Sequence, residues 1–147
     1  MNRHKAYRTI TRGILGEFND NKTKLVTLPD RIATERARLD AIRSSAAESQ
    51  MTPGGAGNVR QERDTAIIAE VDRLTAALRE AEKEVKLIER CLAELKKDER
   101  RTLEVMDIAP RYRAAEQLAD ELAVDRSTVY RIHDDALDRF ARLYHGA

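Results

Sequence analysis

A chain of 147 residues has room for one or two small domains, and 36% charged residues with 4% aromatics and no Trp suits long solvent-exposed helices better than a large globular core. No stretch approaches the roughly 18 uninterrupted apolar residues of a membrane span, and the first residues lack the apolar core of a secretory signal, so a cytoplasmic setting without membrane contact is expected. Cys91 is the single cysteine, which excludes an internal disulfide framework, and with only His4, His133 and His145 beside it no metal site and no cofactor are expected.

The formal net charge of +1 does not announce a nucleic-acid partner, but the charge is uneven. Residues 1–24 carry Arg3, Lys5, Arg8, Arg12, Lys22 and Lys24 against Glu17 and Asp20, a net +4. Residues 108–147 carry six Arg against seven acids, a net −1. A DNA-binding domain of that balance must gather its positive charge on one face, because phosphate neutralisation supplies most non-specific affinity.

In chain order, Tyr7, Ile10, Ile14 and Phe18 are spaced as one helical face, weakened by Gly13 and Gly16. Asn19-Asp20-Asn21-Lys22 reads as a break. Pro29 suits the first turn of a new helix, with Thr27 near its cap and Ile32, Leu39, Ile42 and Ala46 on one face to about residue 47. A linker is expected over about 48–60, where Thr52-Pro53-Gly54-Gly55-Ala56-Gly57-Asn58 holds half of the six glycines.

From about 61 to 96 a heptad helix is expected. Ile67, Val71, Leu74, Leu78, Ala81, Val85, Ile88, Leu92 and Leu95 alternate in steps of four and three, a stripe of roughly 43 Å at ~1.5 Å per residue. Such a stripe must be buried against another helix. That helix is either the one before the linker, folded back as a hairpin, or the same helix of a second protomer, or both. Ile67, Val71, Leu74, Leu78, Val85, Ile88, Leu92 and Leu95 are therefore the candidate oligomerisation residues of a homodimer or higher homo-oligomer. Cys91, beside the stripe, reads as a small buried filler.

A short amphipathic helix is expected over 97–108, with Asp98 as its cap, Leu103 and Met106 inward, and Pro110 ending it. Residues 115–137 then read as a helix-turn-helix. Leu118, Leu122, Val129 and Ile132 are the apolar contacts, Ala119 is small where the helices approach, and Asp125 is placed to cap the second helix. The turn position that usually carries Gly is Ala123. The second helix, continuing to about Tyr144 with Leu137, Phe140 and Leu143 packed inward, would present Arg126, Ser127, Thr128, Tyr130 and Arg131, an arrangement that fits a major groove. No strand pattern is visible, so the fold class is all-α: an N-terminal helical hairpin or coiled coil over 1–96, then a small helix-turn-helix domain over 97–147.

Glu116-Gln117-Leu118-Ala119, the run from Leu122 to Ile132, and Ala136-Leu137 with Phe140 resemble region four of bacterial sigma factors. The whole layout is similar to small bacteriophage regulators of the RinA and ArpU type, closely from about residue 60 to 144 and only in element order before that. The resemblance implies a non-enzymatic regulator of phage late genes in a bacterial host cell, with double-stranded DNA and RNA polymerase as partners.

Arg113, Arg126, Ser127, Thr128, Tyr130 and Arg131 are the candidate DNA-binding residues. An arginine fork can pair with guanine or phosphate, or equally with a neighbouring Asp. Ser127 and Thr128 are balanced between DNA contact and capping, and Tyr130 between stacking and packing. Arg111 could grip the flanking backbone, and the basic N-terminus reads as a solvated face or an extra phosphate clamp. His133 reads as a surface residue. Asp134, Asp135 and Asp138 would repel phosphate, so the second half of that helix is expected to face solvent or polymerase. Those acids have no complementary constellation for catalysis. Two alternatives stand beside DNA reading: an adaptor that docks on RNA polymerase, and a small terminase-type packaging subunit, whose DNA-binding helices usually precede the oligomerising region.

Overall fold

The computed structural model describes residues 3–48 and 56–146, with side chains except at 46–48, 56 and 57. Every regular element among them is helical and no strand occurs. The helices are α1 (Arg3–Gly16), α2 (Phe18–Glu48), α3 (Ala56–Ala93), α4 (Lys97–Leu103), α5 (Ala114–Leu122) and α6 (Arg126–His145), with a π-helical turn at Glu104–Ile108. None of them is long and apolar enough to cross a membrane.

The expected break at Asn19–Lys22 does not occur. Glu17 N–H donates to Gly13 O and Asn21 N–H to Glu17 O, so the hydrogen-bond ladder runs through the junction of α1 and α2. Asn19, a residue that favours breaks when its amide competes for backbone, instead donates to Ile108 O at 2.8 Å. Pro29 lies inside α2 and starts nothing. It forfeits one backbone bond there, while its neighbours Leu28 and Ile32 are buried. Both margins of the expected linker are helical, Glu48 ending α2 and Ala56, Gly57 and Asn58 opening α3. Residues 49–55, with Thr52–Gly55 among them, lie outside the described residues.

The chain forms two compact units, one of residues 23–82 and one joining 1–22 to 83–147. Compactness thus groups the chain differently from the expected 1–96 and 97–147, because α1 packs with the C-terminal helices.

In the unit of residues 23–82, α2 and α3 form an antiparallel hairpin. Leu28 and Ile32 close on Leu74, with Val71, Ala77 and Leu78 around them. The ion pairs Arg31–Glu70 at 3.7 Å and Arg43–Asp64 at 3.8 Å run in opposite chain directions, which fixes the orientation. All nine positions of the four-three stripe, from Ile67 to Leu95, are buried or half-buried within the single chain. Within the chain, the folded-back hairpin covers Val71, Leu74 and Leu78 of that stripe. Val26 and Ile68 are the large apolar residues this unit leaves exposed beside Val59.

In the other unit, α3 ends at Ala93 and a tight turn leads to α4. Lys96, and not Asp98, caps α4, with its N–H donated to Glu99 Oε1 at 3.1 Å. Glu99 is buried and also meets Arg139 of α6 at 3.4 Å. The expected helix over 97–108 changes register after Leu103. Ala109 N–H reaches Glu104 O, a wider i→i+5 closure that turns Val105 and Asp107 inward and leaves Met106 half-buried.

The buried face of α1 is Thr11 and Leu15, leading to Phe18. Tyr7 and Ile10, expected inside, are 57% and 58% exposed. The face is rotated because Arg8 and Arg12 must reach acids on the far side: Arg8 forks onto Asp138 of α6 at 3.0 and 2.9 Å, with Asp134 at 3.4 Å, and Arg12 meets Asp107 at 2.8 Å. Tyr144 of α6 donates to Glu84 of α3 at 2.5 Å; burial first, then that carboxylate, push its phenol up to about 12. Phe140 and Leu137 are buried as expected, with Ala136 beside them, whereas Leu143 is 39% exposed. Cys91 is buried, and burial raises its thiol above the ordinary range.

The Arg8 fork, ahead of desolvation, holds the Asp138 carboxyl below its ordinary value. A group depressed in the folded state contributes stability above its unfolded pKa of about 3.9 and loses it as pH falls through the folded value. The thermal midpoint is therefore expected to fall below about pH 4. Melts across acid pH should show a shallower fall for Asp138→Asn, and an identical acid profile would exclude the contribution.

Candidate nucleic-acid interface

The helix-turn-helix closes around Leu118 of α5, Val129 of α6 and Val105 of the π turn, all buried, with Met106, Ala114, Ala115, Ala119 and Val124 packed on them. Leu122 and Ile132 are half-buried at the margin. This small core sets the two helices.

The turn follows from three consecutive residues. Ala123 takes the left-handed conformation, φ 56° and ψ 45°. Val124 N–H then donates back to Ala119 O at 3.0 Å, a Schellman-type closure, with Val124 half-buried against the core. Asp125 returns to extended backbone and caps α6, its Oδ1 accepting Thr128 N–H at 2.8 Å and Ser127 Oγ–H at 3.0 Å. Bonds from Thr128, then from Ser127, hold the Asp125 carboxyl below its ordinary value.

Ala123 meets the backbone demand of the turn without being glycine, and its side chain is exposed. Left-handed backbone costs a Cβ-bearing residue about 1–2 kcal/mol, against which glycine loses about 0.4–1 kcal/mol more chain entropy on folding. Ala123→Gly should raise stability by about 0.5–1 kcal/mol, measured by urea unfolding. A destabilised variant would mean that the methyl group carries a contact.

The six candidate residues occupy one region but differ in what they already hold. Ser127 Oγ–H and Thr128 N–H both donate to the Asp125 cap. Arg126 and Arg113 both turn to Glu116 of α5, each at 3.6 Å. Arg131 is exposed and has no carboxylate within ion-pair distance among the described residues. Tyr130 is 52% exposed. Arg126, Tyr130 and Arg131 thus project from the first turns of α6 into solvent.

Tyr112 was not singled out by sequence, yet it is 82% exposed beside Arg113, whose guanidinium lies 5.4 Å from its ring centre. Gln117 Nε2 donates to Tyr112 O at 3.0 Å, and Arg113 itself is left-handed at φ 52°. The signal available in sequence was its position between Arg111 and Arg113 at the mouth of the motif.

Two expectations about α6 are corrected. His133 is not a surface residue: it is buried, with Nε2 2.6 Å from Asp107 Oδ2. Asp107 is 1% exposed in its side chain and takes Arg12 on its other oxygen. Asp134 and Asp138 do not simply face solvent, since Arg8 of α1 pairs with both, one positive charge against two. The acidic second half of α6 is the docking strip for the basic N-terminal helix.

No family model matches the chain, nor does any curated protein or solved structure.

Proposed function

We propose that the protein is a sequence-specific DNA-binding transcription regulator that reads the major groove with the first turns of α6, in the manner of the RinA and ArpU type regulators of bacteriophage late genes. The observation that carries this reading is the division of α6. Its first turns are capped by Asp125 and present Arg126, Tyr130 and Arg131 to solvent. Its second half carries carboxylates that would repel phosphate, of which Arg8 pairs with Asp134 and Asp138. The helix is thereby cationic where a groove would receive it, and two of its three acids are paired where it would leave.

Arg131 is the side chain free to meet a base edge. Arg126 and Arg113, held by Glu116 before binding, would exchange that carboxylate for phosphates, which accept the same bidentate fork. Tyr112 and Arg111 flank the same mouth and would lie against the backbone. A net charge near zero limits one protomer's affinity, so two protomers on paired half-sites would add phosphate contacts. The packing of the heptad stripe within the chain supports pairing through some other surface.

The test is selection from a randomised duplex pool by the full chain. Enrichment of a defined sequence supports groove reading. Recovery of no sequence, together with retention on RNA polymerase, favours the adaptor alternative.

A further inference from the structure

Beyond the recognition turn, α1 and the C-terminal half of α6 enclose a groove of about 570 Å3. It lies within a volume that takes a small ligand or a stretch of backbone. Its walls are Arg3, His4, Tyr7 and Arg8 on one side and Asp138, Arg142 and His145 on the other. Asp138 is the one carboxylate in this lining, and the Arg8 fork pairs with it. Arg3 and Arg142 have no carboxylate within ion-pair distance among the described residues; Arg142 reaches only Asp138 O, at 3.4 Å. The groove therefore carries three guanidinium groups, Arg3, Arg8 and Arg142, against one lining carboxylate, although Arg8 also pairs with Asp134 beside it. Two imidazoles and the Tyr7 ring, edge-on to His145 at 5.9 Å between centres, complete the lining.

Its position on α6 matters as much as its charge. Arg131 and Arg142 are eleven residues apart, about 20° from three whole turns and roughly 16 Å along the axis. Both thus leave the same side of α6, one at the recognition turn and one at the groove. A duplex whose base edges face Arg131 brings a sugar-phosphate strand past the far end of that same helix side, on the scale of a major groove about 12 Å wide.

We infer that the groove between α1 and α6 is a phosphate site, and that Arg3 and Arg142 hold the phosphodiester backbone of the duplex that α6 reads. This rests on the DNA-reading function above. It gives the basic N-terminus a share in binding: Arg8 docks α1 and Arg3 joins Arg142 on the strand. These contacts position the protein and carry no sequence information.

The test is polarisation titration of the full chain against a selected duplex and a scrambled one over a range of salt. Each lost phosphate contact lowers the slope of log K against log salt by about 0.9, which is about eightfold in affinity at 0.1 M. Arg142→Ala is expected to weaken both duplexes alike by about that factor, and Arg3→Ala/Arg142→Ala to lower the slope by nearly two. Arg79→Ala, removing the same charge from an exposed position of α3, should leave the slope intact. Both groove residues sit at the surface, and matching melting curves would show that the variants fold. If Arg142→Ala binds as the native chain does while Arg131→Ala is impaired, the groove assignment falls and groove reading by α6 stands. If the native chain binds neither duplex, both fall. Arg142-dependent binding of inorganic pyrophosphate with an unchanged DNA slope assigns the groove to a free phosphate anion and overturns the backbone contact.

Discussion

Replacing Arg131 with alanine is expected to cost about 1–3 kcal/mol of specific DNA binding and to relax the preference at the base pair it faces. Its guanidinium is exposed near the start of α6 with no carboxylate within ion-pair distance among the described residues, so no internal bond must be broken before it reaches a base. Arg126 differs, because Glu116 holds it at 3.6 Å and the exchange of partners offsets part of any gain. Arg126→Ala should therefore cost less than Arg131→Ala, and Lys in place of Arg131 should restore charge but not bidentate selectivity. Titrations on matched and single-substituted duplexes separate these effects. Equal losses on every sequence would make Arg131 a phosphate contact and not a base reader.

The second large effect is on stability. His133→Leu is expected to destabilise the chain by about 3 kcal/mol, since it leaves an oxygen of a buried carboxylate without its partner. Asp107 is 1% exposed, and the 2.6 Å bond from His133 cannot be replaced there by bulk water. Arg12 still pairs with the other oxygen at 2.8 Å, so the site is half satisfied, which is a costly state for a buried polar group. Asp107→Leu/His133→Leu removes both buried polar groups, and Arg12, with its side chain 55% exposed, is left solvated. The double variant should lose less than the sum of the single losses, by roughly 1–3 kcal/mol in a double-mutant cycle. Additive losses would show that Asp107 and His133 act as separate packing residues.

That cluster also marks where sequence reading stops. The recognition turn is legible because its determinants are local: Leu118, Ala119, Ala123, Asp125 and Val129 lie within a dozen residues and each has one plain task. The heptad stripe is legible for the same reason, since periodicity states that a face is buried. It does not state against what, and Leu28 and Ile32 supply the cover for Val71, Leu74 and Leu78. Arg8 with Asp138 and Arg12 with Asp107 are separated by 130 and 95 residues, and single charges at that distance leave no periodic trace. Without them α1 reads as a detached basic helix, His133 as a surface residue and the acids of α6 as an obstacle to DNA. At Asn19–Lys22 and Pro29 local propensity pointed to ends that tertiary burial of Phe18, Leu28 and Ile32 overrides. The π turn was hidden as well, because it is defined by one carbonyl, Glu104 O, accepting from Ala109.

The most direct measurement is a salt-dependent polarisation titration of one selected duplex with the native chain and with Arg126→Ala/Arg131→Ala. A DNA-reading α6 gives tight binding with a steep salt slope, and a double variant that folds normally yet no longer distinguishes the selected duplex from a scrambled one. Equal discrimination by both proteins, or no binding by the native chain at low salt, would contradict it.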